Sequence, residues 1–64
     1  MEIERLRYMA EQIAREFKAQ GEAEAVAATA EHIRLFWDPR MKAALLAADR
    51  TGMSPIVAAA LQQV

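Results

Sequence analysis

Two dipeptides, Asp38-Pro39 and Ser54-Pro55, limit the fold of this sequence more than any other feature. Proline has no backbone N–H and disfavours a helical conformation at the residue before it, so neither dipeptide can lie inside a continuous regular helix. At the first position of a helix the missing N–H costs nothing, and an aspartate or serine just before it can cap the next free amides. Each dipeptide therefore predicts the start of a new helix.

Apolar residues recur at intervals of three and four residues between these signals, which is the spacing of one helix face. The four predicted helices cover about 2–19, 22–37, 39–49 and a short segment from 55 onward. Gly21, in the left-handed conformation, should end the first helix, and Gly52 should end the third. The residues predicted to face the core are Ile3, Leu6, Ala10, Ile13 and Phe17, then Val26, Ala30, Ile33 and Trp37, then Met41, Ala44, Leu45 and Ala48, and finally Val57, Ala60, Leu61 and Val64.

The predicted fold is therefore all-α: one domain over residues 1–64, a small bundle of three to four short helices. A sharp Asp-Pro corner should separate the second helix from the third. A chain of 64 residues buries only about 60% of the surface of its unfolded form, so its stability alone is marginal. It has no cysteine and one histidine, which removes disulfides and the usual zinc ligand sets. A protein partner is the remaining source of stability.

Charge and hydropathy exclude several classes of function. Eight basic and nine acidic residues are scattered along the chain and give a formal charge of −1, whereas nucleic-acid binders usually carry a basic excess. No apolar run approaches the roughly 20 residues that span a bilayer. The segment Met1–Arg5 lacks the basic and apolar pattern of a secretory signal, so we expect a cytoplasmic protein with neither nucleic acid nor membrane as partner.

The large apolar side chains gather at the predicted corner. Leu35, Phe36, Trp37 and Met41 follow closely in sequence, and one helix face cannot bury all of them in so small a core. Trp37 has two interpretations that can both hold: the centre of the chain's own core, or an anchor that contacts a partner. The sequence thus predicts excess apolar surface at this corner.

Two further residues near the corner have alternative interpretations. Arg40 falls in the first turn of the third helix, where a cation opposes the helix dipole, so we expect it to meet a specific carboxylate, carbonyl or aromatic partner. His32 is the only histidine, and Glu31 and Asp38 do not complete a metal-ligand set with it. A structural or interface role for His32 is favoured over proton transfer.

No other pattern indicates catalysis. The carboxylates do not form a recognisable acid–base pair, and the two glycines are isolated, so there is no phosphate-binding loop. Ser54 precedes a proline and is better explained as a helix cap than as a nucleophile.

The segment His32–Met41 resembles the central motif of the delta subunit of soluble NAD-dependent molybdenum formate dehydrogenases. The segments Tyr8–Ala14 and Gly52–Leu61 are similar to that family's first and last helices, in the same order. Two features depart from the family pattern: Glu11 stands where asparagine is more usual, and the stretch 19–26 has no proline. Neither departure touches the corner.

The resemblance implies a non-catalytic accessory subunit of a cytoplasmic complex that oxidises formate to carbon dioxide with NAD as acceptor. It implies an alpha subunit with a molybdenum or tungsten pterin and iron–sulfur clusters, and beta and gamma subunits with FMN, further clusters and the NAD site. No cofactor is expected on this chain, and the alpha subunit is the expected neighbour. A transient chaperone for cofactor insertion and an unrelated helical adaptor or homo-oligomer are the alternatives. The predicted partner-facing residues are His32, Leu35, Phe36, Trp37, Arg40, Met41, Tyr8 and Met9.

Overall fold

The computed structural model describes residues 2–64, and those residues form four α-helices and no β-strand, which confirms the all-α prediction. The helices are α1 (Ile3–Phe17), α2 (Glu22–Phe36), α3 (Pro39–Ala47) and α4 (Pro55–Leu61), with one turn of 3-10 helix at Lys18–Gln20. Helix α2 packs against both α1 and α4, and α3 packs against α1. The predicted number of helices is therefore correct, and each begins within a residue of its predicted start.

The connection between α1 and α2 turns at Gly21. Its amide donates to the Lys18 carbonyl at 3.1 Å, and its carbonyl accepts from the Ala25 amide at 2.9 Å. The predicted stop at Gly21 is confirmed, but the left-handed helical conformation predicted for it is wrong. Gly21 has φ 100° and ψ 154°, an extended conformation that is essentially restricted to glycine. The chain reaches it because the 3-10 turn has already tightened the end of α1.

Both cap-plus-proline signals start helices as predicted. The Asp38 Oδ1 atom accepts from the Met41 amide at 2.9 Å, and the Ser54 Oγ atom accepts from the Val57 amide at 3.2 Å. The proline follows its cap at the first helical position in each case. The two caps satisfy amides that would otherwise lack a partner in the helix.

The predicted end of α3 is wrong. The helix stops at Ala47 rather than near Asp49, and Ala48 is already extended, with ψ 150°. The Arg50 guanidinium folds back and donates to the carbonyls of Leu46 at 3.1 Å and Ala48 at 2.7 Å. A side chain thus takes over the carbonyls at the end of the helix, which Gly52 was expected to satisfy through its backbone conformation.

Gly52 instead lies in the loop that joins α3 to α4, with φ 84°. The Asp49 carboxylate organises this loop by accepting from the amide and the hydroxyl of Thr51, both at 2.9 Å. These two hydrogen bonds, the amide first, hold the pKa of Asp49 below its ordinary value of 3.8. The Arg7 side chain of α1 donates to the Thr51 carbonyl and so ties the loop to the bundle.

One large side chain from each helix is fully buried in the common core: Leu6 from α1, Ile33 from α2, Leu45 from α3 and Val57 from α4. Fully buried alanines lie between them and let the helices approach closely; these are Ala10, Ala25, Ala30 and Ala60. Of the predicted core residues, seven are only partly buried against this core, namely Ile3, Ile13, Phe17, Met41, Ala44, Ala48 and Val64. The core residues that the sequence pattern missed are Ala14, Ala25, Thr29 and Ile56.

Thr29 is the one buried residue of this core with a polar side chain among residues 2–64. It is fully buried on α2, and its hydroxyl has no hydrogen-bond partner within the described chain. A buried hydroxyl without a partner costs free energy, so this position should weaken the fold.

Helix α4 is held at both ends by residues distant in sequence. The Glu11 carboxylate of α1 accepts from the Ser54 amide at 2.8 Å, just before α4 begins. The Arg34 guanidinium of α2 donates to the Gln63 carbonyl at 2.8 Å, just after α4 ends. These two contacts fix α4 along the α1–α2 pair and leave the carboxyl-terminal end of α2 at the surface.

Candidate protein-interaction site

The chain turns sharply between α2 and α3, and two residues make this corner. Trp37 and Asp38 are both extended, with ψ 141° and 166°, between the last residue of α2 and the first of α3. The Lys42 ammonium on α3 donates to the Arg34 carbonyl in the last turn of α2 at 3.2 Å. The corner is thus braced by a contact between the two helices, in addition to the Asp38 cap.

Trp37 belongs to the chain's own core. Only 6% of its surface is exposed, and it joins the same buried cluster as Ile33 and Leu45. Of the two interpretations left open by the sequence, the structure supports the core; a contact between Trp37 and a partner stays a prediction. Because Trp37 points into the core, the two residues before it project from other sides of the helix.

Leu35 and Phe36 are those two residues, and they lie at the surface. Their exposed fractions are 67% and 72%, the largest among the big apolar side chains of residues 2–64. His32, one turn earlier on α2, is half-buried, and its ring lies 4.8 Å from the Phe36 ring between centroids. We refer to His32, Leu35 and Phe36 as the α2 patch.

Tyr8 and Met9 differ in how they are placed. Tyr8 is 64% exposed on α1, and its hydroxyl accepts a 2.5 Å hydrogen bond from the Gln12 amide group. Leu6 and Ala10, two positions to either side, are fully buried, so Tyr8 points away from the core. Met9 packs partly buried against the core. Tyr8 therefore offers contact area on the outer face of α1, a different helix from the α2 patch.

Arg40 and Met41 lie on the α3 side of the corner. Arg40 is exposed, and Met41 is partly buried against the core. Together with Asp38 and Ala44 they line a partly open depression of about 460 Å³. The sequence placed these residues correctly at the corner, but it missed the exposed apolar residue further along α3, Leu46, which is 38% exposed. Its place beside the buried Leu45 gave no sign of which leucine would face outward.

A second depression, of about 350 Å³, lies between α1 and the start of α4 and is mixed in charge. Its charged lining residues are Glu11, Arg15, Lys18 and Glu22. Glu11 is already occupied by the Ser54 amide. Within residues 2–64 there is no group of three or more histidine, cysteine, aspartate or glutamate side chains placed to hold a metal ion. Three of the exposed contact groups that the sequence predicted lie instead at the corner: Leu35, Phe36 and Arg40.

No helix among residues 2–64 is both long and apolar enough to cross a membrane. A family model described as the NADH-dependent formate dehydrogenase delta subunit, FdsD, matches residues 5–61 of the 64-residue chain. The match covers α2, α3, α4, the corner and all but the first two residues of α1, and it confirms the family suggested by the sequence motifs. No curated protein and no solved structure matches the chain.

Proposed function

Because the chain belongs to the formate dehydrogenase delta-subunit family, we propose that it is a non-catalytic accessory subunit that binds the alpha subunit of an NAD-dependent formate dehydrogenase in the cytoplasm. The α2 patch makes the contact and supports assembly or stability of the complex. The observation that carries this proposal is the exposure of Leu35 and Phe36 beside the buried Trp37.

Leu35 and Phe36 are large enough for their burial by a partner to stabilise a complex. Fully burying a leucine or phenylalanine that was exposed contributes about 1.5–3 kcal/mol each. Leu35 and Phe36 are both more than half exposed, so a partner that covers them gains most of that contribution. A domain of 64 residues has marginal stability of its own, and binding a partner to the folded form adds to it.

The chain's own residues do not fit one cofactor of such a complex, an iron–sulfur cluster. Iron–sulfur clusters are held by cysteine thiolates, and this chain has no cysteine. We propose, as the family resemblance implies, that the molybdenum or tungsten pterin, the iron–sulfur clusters, FMN and NAD belong to the alpha, beta and gamma subunits. No step of formate oxidation is assigned to a residue of this chain.

Replacing the exposed residues of the α2 patch tests the proposal. A tagged chain carrying Leu35→Ser and Phe36→Ser is coexpressed with the alpha subunit and recovered on the tag. We expect about tenfold or greater loss of the alpha subunit, since tenfold corresponds to only 1.4 kcal/mol. Circular dichroism of the same variant should stay helical because both side chains are exposed.

Leu46→Ser is the matched control, because Leu46 is an exposed leucine on α3 outside the α2 patch. It should recover as much alpha subunit as the unmodified chain. A separate Tyr8→Ser variant measures what the outer face of α1 contributes. Equal recovery of the alpha subunit by the double variant and the unmodified chain would contradict the assignment of the α2 patch.

A further inference from the structure

The cations between residues 34 and 50 follow a common rule, with one exception. Arg34 donates to the Gln63 carbonyl just after α4 at 2.8 Å, and Lys42 donates to the Arg34 carbonyl in the last turn of α2 at 3.2 Å. Arg50 donates to the Ala48 carbonyl at the end of α3 at 2.7 Å. The charged group of each of these side chains reaches carbonyls at or just after the carboxyl end of a helix, where the dipole favours positive charge, although Lys42 itself is the fourth residue of α3.

Arg40 is the exception. It is the second residue of α3, directly after Pro39, at the end of the helix where the dipole disfavours a cation. It is exposed, and none of the side-chain hydrogen bonds found within residues 2–64 involves it. The Asp38 Oδ1 atom, the nearest acidic oxygen in sequence, already accepts from the Met41 amide. The fold of this chain therefore gives no reason for arginine at this position.

The surroundings of Arg40 indicate what it could bind. The depression that it lines has an apolar wall made by Met41 and Ala44, both partly buried. Asp38 also lines the depression, but its Oδ1 atom accepts from the Met41 amide, and residues 34–42 carry three cations against this one acid. A guanidinium presents a planar set of donors that matches a carboxylate with two parallel hydrogen bonds. The Arg40 guanidinium and the apolar wall beside it thus favour a ligand that carries an acidic group next to an apolar one.

We propose, on the basis of the function proposed above, that this depression binds an acidic segment of the partner subunit. A glutamate or aspartate carboxylate of that segment pairs with Arg40, and a neighbouring apolar side chain packs against Met41 and Ala44. Arg40 lies four residues after Phe36, so their Cα atoms are at most about 14 Å apart and a single partner surface can reach both. The carboxylate would specify the partner, and the α2 patch would supply most of the buried apolar area.

Charge variants of Arg40, compared by competition for limiting alpha subunit, test this inference. We expect Arg40→Glu to weaken binding about tenfold or more, since truncating or reversing an interface arginine often has effects of that size. The same variant should unfold at an unchanged or higher temperature, because a glutamate at the start of α3 suits the helix dipole. Loss of binding with no loss of stability would separate recognition from folding.

Two further variants and one control complete the experiment. Arg40→Lys keeps the charge but not the paired donors, so it should bind more weakly than the unmodified chain and more tightly than Arg40→Met, which keeps only the apolar stem. Lys18→Glu is the control: Lys18 is exposed in the 3-10 turn that precedes α2, and α2 itself is about 22 Å long by the rise of 1.5 Å per residue. It makes the same change in charge and should bind as the unmodified chain does.

Three results would overturn the inference while leaving the proposed function intact. They are equal binding by Arg40→Glu and the unmodified chain, equally weak binding by Arg40→Lys and Arg40→Met, and an equal loss in Lys18→Glu. Failure of the unmodified chain to bind the alpha subunit would instead contradict the proposed function, and this inference with it.

Discussion

His32 and Phe36 form a tilted ring pair on the exposed end of α2, with centroids 4.8 Å apart and planes inclined by 42°. The two residues are one helical turn apart, the spacing at which side chains of a helix meet. The contact limits the positions that the exposed Phe36 ring can take, so less conformational entropy is lost when a partner covers it. We therefore propose that His32 acts by orienting the Phe36 ring.

Replacing His32 by glutamine should leave the chemistry of formate oxidation intact. We expect the assembled complex with His32→Gln to keep its turnover, because no reacting group is assigned to this chain. The measurement is steady-state formate oxidation per molybdenum or tungsten in purified complex. One acid–base group typically contributes about 100-fold or more to the rate. A loss of even about tenfold, at unchanged assembly and metal content, would therefore assign His32 a direct part in the reaction.

Trp37 and Phe36 are adjacent, but truncating them should change the free energy of unfolding by very different amounts. Trp37→Ala should lower the free energy of unfolding by about 3–5 kcal/mol, a large part of what so small a domain has. Phe36→Ala should change it little, because 72% of its surface is exposed. Denaturant unfolding of both variants checks the contrast. Similar losses in the two would mean that Phe36 is part of the core.

Thr29→Val should stabilise the chain. The substitution replaces a buried hydroxyl without a partner by a methyl group of similar shape, and we expect the free energy of unfolding to rise by about 1 kcal/mol. Valine and threonine have similar helix propensities, so the helix itself contributes little to the difference. Thr29→Ser, which keeps the hydroxyl and removes the methyl group, is the control and should destabilise. A stability loss in Thr29→Val would show that the hydroxyl is satisfied in solution.

Asp49 should make part of the stability depend on pH. Its hydrogen bonds from Thr51 lower the pKa of the folded state below the ordinary 3.8, so the carboxylate contributes stability fully above that pH. The contribution is lost as the pH falls through the lower pKa of the folded state. Asp49→Asn should therefore cost stability near neutral pH, and the cost should shrink as the pH drops below 3.8. Urea unfolding of the variant and the unmodified chain, near neutral pH and below pH 3.8, measures this cost. A cost that does not change with pH would contradict this role of Asp49.

The sequence predicted those features that depend on neighbouring residues. The caps at Asp38 and Ser54, the turn at Gly21 and the inward faces of α1 and α2 all follow from local spacing. Alanine weakened the prediction of the core, because Ala14 and Ala25 are buried while Ala27 is exposed, and residue type alone does not separate them. The outcome depends on which helices come close together.

Contacts between distant residues could not be predicted from the sequence. Arg34 reaches Gln63, 29 residues away, and Arg7 reaches Thr51, 44 residues away. The error at the end of α3 has a different, local cause: glycine is the usual signal for a helix end, but the Arg50 side chain, two residues after Ala48 and four after Leu46, satisfies the carbonyls instead. The corner was predicted correctly, and so was the inward placement of Trp37 at the end of the apolar face of α2, beside an exposed Phe36.

The stoichiometry of active enzyme distinguishes a permanent subunit from a transient maturation factor. The tagged chain is expressed in its native host, and the formate-oxidising fraction is quantified by mass spectrometry and crosslinked to identify neighbours. We expect one copy of the chain per alpha subunit in active complex, with crosslinks from the corner to the alpha subunit. Recovery only with alpha subunit that still lacks its cofactors, and none in active enzyme, would indicate a transient maturation factor. Recovery with no formate dehydrogenase subunit at all would contradict the proposal that the chain is an accessory subunit of this complex.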